Sequence, residues 1–253
     1  MVWSEVRGSN KKSRLFSIIL FKYMGMTGRP AKTEQQMFSV NLYMLKICYL
    51  IFTLLAFVMV TAGSTPVLAA QQRLMVYGDS LVAGYGLSAG EGFPEQLQQA
   101  LIAAGRDVKV LNAGVSGDTT AGGLARLNWA LSEQPDAVMI ILGGNDLLRG
   151  LDPQQTRENL KQILSRLQAQ NIKILLCGML APVNLGLAYR QQFDLIYPEL
   201  ADRFNTEFYP FFLHGVALNP KFNQTDGLHP NKSGVAVITQ SVLPSVLSVL
   251  DKD

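Results

Sequence analysis

Three residues in this chain have the types and spacing to carry out nucleophilic acyl transfer. Ser80 stands in Tyr77-Gly78-Asp79-Ser80-Leu81, and Asp226 and His229 stand in Asp226-Gly227-Leu228-His229-Pro230. A serine hydroxyl is a weak nucleophile until a base takes its proton, and the base works best when a carboxylate orients it. Asp226 and His229, three apart in a tight turn, can place the carboxylate against one imidazole nitrogen and leave the other for Ser80. The choice of base is narrow, because the chain has only two histidines, His214 and His229. His214 reads as a surface loop residue. Each residue also has a plainer use: Ser80 as a helix cap, Asp226 as an ordinary turn residue beside Gly227. Asp79 and Asp146 are read as structural, bonding neighbouring backbone.

The elements around these residues come from hydrophobic patterning. Leu74-Met75-Val76-Tyr77 is a short apolar run of buried-strand type, broken by the glycine-rich turn Ala83-Gly84-Tyr85-Gly86. Further strands are expected over Val108–Leu111, Ala137–Leu142, Ile172–Cys177 and Pro210–Leu213. Helices are expected over Phe93–Ala104, Thr119–Leu131, Pro153–Gln170, Gln191–Phe204 and Asn231–Leu250, the last kinked or interrupted at Pro244. Alternating strands and helices with continuous apolar strands imply a parallel sheet covered on both faces. The fold class is therefore α/β: a flavodoxin-like three-layer α/β/α sandwich with a five-stranded parallel sheet, order 2-1-3-4-5. The first three strands end in Gly78-Asp79-Ser80, Asn112-Ala113-Gly114 and Gly143-Gly144-Asn145-Asp146. In such sheets ligands bind at that carboxyl edge.

Composition limits the classes open to the chain. With 48% hydrophobic and 16% charged residues over 253 positions, it buries a real core. The net charge of +3 hides an asymmetry: residues 1–70 carry +6 and residues 71–253 carry −3. The basic excess belongs to the leader, so no nucleic-acid partner follows from it. From Ile47 to Gln72 there is no charge, and the run closes on Gly63, Ser64, Pro66 and Val67-Leu68-Ala69-Ala70. That pattern predicts a basic leader over 1–70 with a secretory signal cut near Ala69 or Ala70, giving a periplasmic or secreted protein. The alternative is an uncleaved anchor over 47–70, with membrane contact through the leader. The leader is long for a signal, and later methionines (Met24, Met26, Met37, Met44) offer other starts. Cys48 lies in the leader and Cys177 in an apolar run, so the body over 71–253 cannot form an internal disulfide. No Cys/His cluster has zinc spacing; neither metal nor other cofactor is expected.

Gly-Asp-Ser-Leu at 78–81, Gly114, Gly-x-Asn-Asp at 143–146 and Asp-x-x-His at 226–229 resemble the four signature blocks of the SGNH, or GDSL, hydrolases. Ser116-Gly117-Asp118-Thr119, Gly123-Leu124-Ala125-Arg126-Leu127 and Asp226-Gly227-Leu228-His229-Pro230-Asn231 extend the resemblance toward that superfamily's bacterial periplasmic multifunctional esterases. It covers roughly residues 73–250. It implies a monomeric serine esterase acting on small acyl esters and thioesters through an acyl-enzyme. In that reading Ser80 is the nucleophile, His229 the general base and acid, and Asp226 the residue orienting it. The oxyanion would be held by the N–H groups of Ser80 and Gly114 and the side-chain amide of Asn145. The α/β-hydrolase elbow is absent, since position 82 is Val82 rather than glycine.

Directly after Asn145 comes a leucine-rich loop, Asp146-Leu147-Leu148-Arg149-Gly150-Leu151-Asp152. Leu147, Leu148 and Leu151 are expected to form an apolar lip over the acyl chain, or else to pack beneath the following helix. Three competing functions share this sheet edge. One is a carbohydrate O-acetylesterase of the same superfamily. Another is a flavodoxin-like ligand-binding module, though no Gly-x-Gly-x-x-Gly or Walker pattern follows a strand. The third, an inactive esterase-like domain, would have lost Ser80, His229 or Asn145, and all three remain.

Overall fold

The computed structural model describes residues 23, 41, 43–54 and 71–252. The chain divides into two units, 1–69 and 70–253. In the first, Tyr43–Leu54 is an apolar helix whose Tyr49, Leu50 and Phe52 are exposed. The expected cleavage site near Ala69 or Ala70, and most of the expected 47–70 anchor, lie outside the described residues.

The second unit is the α/β sandwich that the patterning implies. Its elements in order are β1 (Gln72–Gly78), α1 (Ser80–Ala83), α2 (Phe93–Ala103), β2 (Val108–Gly114) and α3 (Thr120–Ala130). Then come β3 (Ala137–Ile141), α4 (Gly144–Leu148), α5 (Pro153–Gln168), β4 (Lys173–Cys177), α6 (Leu187–Asp194), α7 (Ile196–Phe204), β5 (Glu207–Tyr209) and α8 (Lys232–Asp251). The sheet is parallel throughout, in the order β2-β1-β3-β4-β5. Helices α2 and α8 pack together on one face, and α3, α5 and α7 on the other. Both faces being covered explains why Leu74–Tyr77, Ala137–Leu142 and Leu175–Cys177 are continuous apolar runs with almost no exposure. Cys177 is one of these core residues, free and buried.

Four local expectations are corrected. The last strand is Glu207–Tyr209, not Pro210–Leu213. Proline has no N–H to donate, so the ladder stops before Pro210. The segment expected as one helix over Gln191–Phe204 is two, α6 and α7, broken at Leu195. Pro198 sits in the first turn of α7, where its missing N–H costs nothing, and its ring forbids continuity with the preceding turn. The leucine-rich loop begins as the short helix α4. Conversely, α8 runs through Pro244 without interruption. The carbonyl that lacks a Pro244 N–H partner belongs to Gln240, an exposed residue, so losing that one helical bond is cheap. Helix α8 is the one described helix long and apolar enough to cross a bilayer, but its apolar stripe (Val235, Ile238, Val242, Val246, Val249) is core.

The open edge of β2 is covered by one side chain. Gln98 of α2 donates from Nε2 to the Val108 carbonyl (2.7 Å), and its Oε1 accepts from the Val110 N–H (2.8 Å). The amide stands where the peptide of a neighbouring strand would be.

Candidate active site

The carboxyl ends of β1, β2 and β3 build the floor of the site. Gly78 ends β1, and a Cβ there would overlap the Ile141 carbonyl of β3 and Val82 of α1, so only glycine lets the three meet. Its carbonyl accepts from the Val115 N–H (3.0 Å) and from Arg126 Nη2 (2.9 Å). Arg126 also donates from Nε to Asp118 (2.5 Å) and stacks its guanidinium on the Tyr77 ring at 4.2 Å. The strand carrying Ser80 is thereby tied to the turn that follows β2.

The cap of α1 is Asp79, whose Oδ1 accepts from the Leu81 N–H at 3.0 Å. Ser80 is the first helical residue, and its hydroxyl is free of capping duty. It lies 2.9 Å from His229 Nε2. The other ring nitrogen, Nδ1, lies 2.6 Å from Asp226 Oδ2. The second oxygen of Asp226 accepts from the N–H groups of Leu228 (2.9 Å) and His229 (3.0 Å). The His229 N–H and imidazole, then the Leu228 N–H, hold the Asp226 carboxyl down at about 2. Asp226 is therefore ionised at any working pH and fixes the imidazole with Nδ1 toward it. Tyr85 lays its ring against the imidazole, centroids 4.7 Å apart.

Asn145 stands in the first turn of α4 and donates from Nδ2 to Asp79 Oδ2 at 3.1 Å. One amide hydrogen remains for a ligand. Burial pushes the Asp79 carboxyl up to about 6, against the opposing effect of its Leu81 and Asn145 hydrogen bonds. Asp146, also buried, accepts from the Thr120 N–H (2.9 Å), the Thr120 hydroxyl (2.5 Å) and the Thr156 hydroxyl (3.1 Å). It anchors α4 to α3 and α5.

Gly114 does not offer its N–H to the site, contrary to expectation. It is the last residue of β2, its N–H donates to Asn112 Oδ1 (3.0 Å), and it packs against the backbone of Val82 and Ala83. Its lack of a Cβ serves close packing of β2 against α1. Three residues later Gly117, at φ +84° and exposed, has an N–H that makes no hydrogen bond among the described residues. The signal for it was present in Ser116-Gly117-Asp118-Thr119, where glycine in a polar turn suits a left-handed conformation.

These groups open into a cleft of about 430 Å³ whose lining is mostly apolar. Leu147 and Leu148 line it; Leu151 does not, and its carbonyl instead accepts from the Tyr189 hydroxyl (2.7 Å). The rest of the wall comes from segments assigned no part in the site from the sequence, notably Met179, Leu180, Leu185 and Leu218, and from Leu213 of the segment expected as the last strand. His214 is exposed and outside the cleft. Among the described residues no group of three or more His, Cys, Asp and Glu is arranged to hold a metal.

Comparison with known proteins places this arrangement. Residues 76–237 match the model of the GDSL-like lipase/acylhydrolase family. The esterase TesA of Pseudomonas aeruginosa is 40% identical over 183 residues, 72% of this chain and 91% of that protein. Thioesterase 1/protease 1/lysophospholipase L1 of Escherichia coli strain K12 is 40% identical over 186 residues, 73% and 88% respectively. The crystal structure of the psychrotrophic esterase EstA from Pseudoalteromonas sp., inhibited by monoethylphosphonate, superposes with a TM-score of 0.68 at 32% identity. It covers 72% of this chain and 100% of that one. With family, fold and relatives in agreement, this chain belongs to the GDSL-like lipase/acylhydrolase family and is a serine esterase.

Proposed function

We propose that the chain hydrolyses acyl esters and thioesters through an acyl-enzyme formed on Ser80. The observation that carries this is the Ser80–His229–Asp226 relay on the floor of an apolar cleft. With Nδ1 donating to Asp226, Nε2 is the basic nitrogen. It takes the Ser80 proton as Oγ attacks the carbonyl, then returns it to the leaving alkoxide or thiolate. Water enters by the same route and releases the acid. The Ser80 N–H, at the first turn of α1 and without an intrahelical partner, faces the developing oxyanion with the free Asn145 amide hydrogen. Gly117, in place of Gly114, supplies the third donor. The negative charge of Asp226 stabilises the imidazolium formed in each half-reaction.

The apolar cleft favours acyl chains longer than acetyl, since each buried methylene contributes about 0.8 kcal/mol. This sets the esterase reading above carbohydrate deacetylation. The basic leader with its apolar segment suits export, with cleavage near Ala69 or Ala70 and a monomeric domain from residue 71 working outside the cytoplasm.

The test is a fluorophosphonate probe combined with p-nitrophenyl esters from acetyl to palmitoyl. Native protein is expected to label and Ser80→Ala to remain unlabelled. The kcat/KM values should rise from acetyl to at least hexanoyl, and Leu148→Ser should flatten that rise. A folded, unlabelled native protein refutes the mechanism; a profile peaking at acetyl refutes the acyl cleft.

A further inference from the structure

Gln224 lies two residues before Asp226 and is not itself part of the cleft lining, yet it holds both of the turns that carry the site. Its own N–H donates to the His229 carbonyl at 2.8 Å. Its side-chain Nε2 donates to the Pro230 carbonyl at 3.0 Å, next after His229. The same Nε2 donates to the Tyr85 carbonyl at 2.8 Å. Tyr85 belongs to the turn that ends α1, and its N–H bonds back to the Ser80 carbonyl at 3.2 Å. One amide nitrogen thus spends its two hydrogens on two carbonyls. One lies on the Ser80 side of the site and the other on the His229 side, far apart in sequence.

The opposite side of that amide is also specified. Gly86, at φ +71°, leaves the space that Gln224 Oε1 fills, and a Cβ at position 86 would overlap that oxygen. The strap therefore needs two residues: a primary amide long enough to reach Tyr85, and a glycine that makes room for it. No other side-chain hydrogen bond among the described residues joins the turn at 84–87 to the turn at 224–230, apart from those of Gln224.

We propose that Gln224, seated on Gly86, is a positioning residue that sets the distance between Ser80 Oγ and His229 Nε2. This rests on the Ser80–His229 reading given above. Without the strap, what joins the two sides is the Ser80–His229 hydrogen bond, which must break and re-form in each turnover, and the tilted, non-directional contact of the Tyr85 ring with the imidazole. A displacement of that pair lowers the rate of nucleophilic attack and leaves in place the part of the acyl wall built from Leu147, Leu148, Met179, Leu180 and Leu185, which lies on other segments.

The experiment uses the purified full chain and reads three quantities: the rate of fluorophosphonate labelling, kcat and KM for p-nitrophenyl hexanoate, and thermal midpoint. Gln224→Glu keeps the shape and removes both donors; Gln224→Met removes them without adding charge. Both should lower kcat and the labelling rate together by about 10- to 100-fold, with KM within about twofold of native. Gly86→Ala should do the same by displacing the amide. The double variant Gly86→Ala/Gln224→Met should be no slower than the slower single, because the two act on one strap. Three results overturn the proposal: labelling and kcat unchanged while the midpoint falls, a rise in KM at constant kcat, or rate losses that multiply in the double variant. Failure of native protein to label counts against the Ser80–His229 mechanism instead, and is told apart by that control.

Discussion

Asp79→Asn should make the protein more stable and less active, and both effects follow from one buried oxygen pair. Asp79 is 2% exposed, and burial raises its carboxyl from the ordinary 3.8 to about 6. In the unfolded chain the proton leaves near 3.8. Between these values the unfolded state has lost a proton that the folded state keeps, so stability falls as pH rises through this window. Above about pH 6 the full cost of a buried ionised carboxylate is present. The gap corresponds to about 3 kcal/mol. Asparagine removes the charge and caps a helix as well as aspartate does, so the Leu81 N–H keeps a partner. The difference in unfolding free energy between variant and native protein should thus shift by about 2 kcal/mol in the variant's favour from pH 4 to pH 7, the rest of the gap lying below pH 4 where the unfolded carboxyl begins to ionise. For a domain of this size that is about 4–8 °C in melting temperature. The activity moves the other way. Asn145 would lose its charged acceptor, and its amide would no longer be aimed by a full negative charge. A fall in kcat of at least about 10-fold is expected, bounded by the 100- to 1,000-fold cost of losing an oxyanion donor outright. Melts at pH 4, 5, 6 and 7, with ester hydrolysis at pH 7 and above, test both arms. A stability difference that does not change with pH, or that grows in the native protein's favour, refutes the reasoning about Asp79. Unchanged kcat would show that Asp79 does not aim Asn145.

Two other substitutions read separate parts of the site. Gly114→Ala places a Cβ within 2.7 Å of the Val82 carbonyl carbon and 2.8 Å of Ala83 Cα, both backbone atoms that cannot turn aside. It should cost several kcal/mol in denaturant unfolding, comparable with overpacking a core, and displace α1 with Ser80; a melting temperature equal to native would contradict the packing role given to this glycine. Leu218 is 86% exposed and held at φ +60°, a left-handed conformation that costs a side-chain-bearing residue about 1–2 kcal/mol. Leu218→Gly should therefore leave the melting temperature level or higher, while lowering kcat/KM for octanoyl esters by about fourfold or more and sparing acetyl esters. Equal losses on both esters would remove Leu218 from the acyl wall.

The parts of the fold legible in the sequence are those where one physical requirement dominates. Strands β1, β3 and β4 are covered on both faces, so their residues are apolar without interruption, and their ends show as abrupt switches to glycine and asparagine. The Asp226–His229 turn was legible because its hydrogen bonds are local. Elsewhere two requirements compete. Apolar Pro210-Phe211-Phe212-Leu213 looks like a strand, yet proline cannot donate to a ladder, and the true β5 is the half-buried Glu207–Tyr209, whose pattern is weak. Gly114 and Gly117 are both glycines at the end of β2; which one packs and which one exposes an N–H depends on Asn112 and α1, not on the local sequence. The cleft wall draws on Met179, Leu180 and Leu218 because the sheet order sets the loops after β4 and β5 beside the one after β3. Nothing in their own sequence marks them as neighbours.

Gln98 carries a consequence for how this protein behaves at high concentration. An unpaired strand edge is a template on which another chain can add a strand, and repeated addition leads to fibrils. At the β2 edge the groups an incoming strand would need, the Val108 carbonyl and the Val110 N–H, are already taken by one side chain. At the opposite edge β5 is only three residues long, too short to seed much pairing. The sheet is thus closed to growth at one end by a borrowed amide and at the other by brevity. Colloidal stability on the β2 side rests on a glutamine far from the chemistry, whose loss would show as turbidity before it showed as lost turnover.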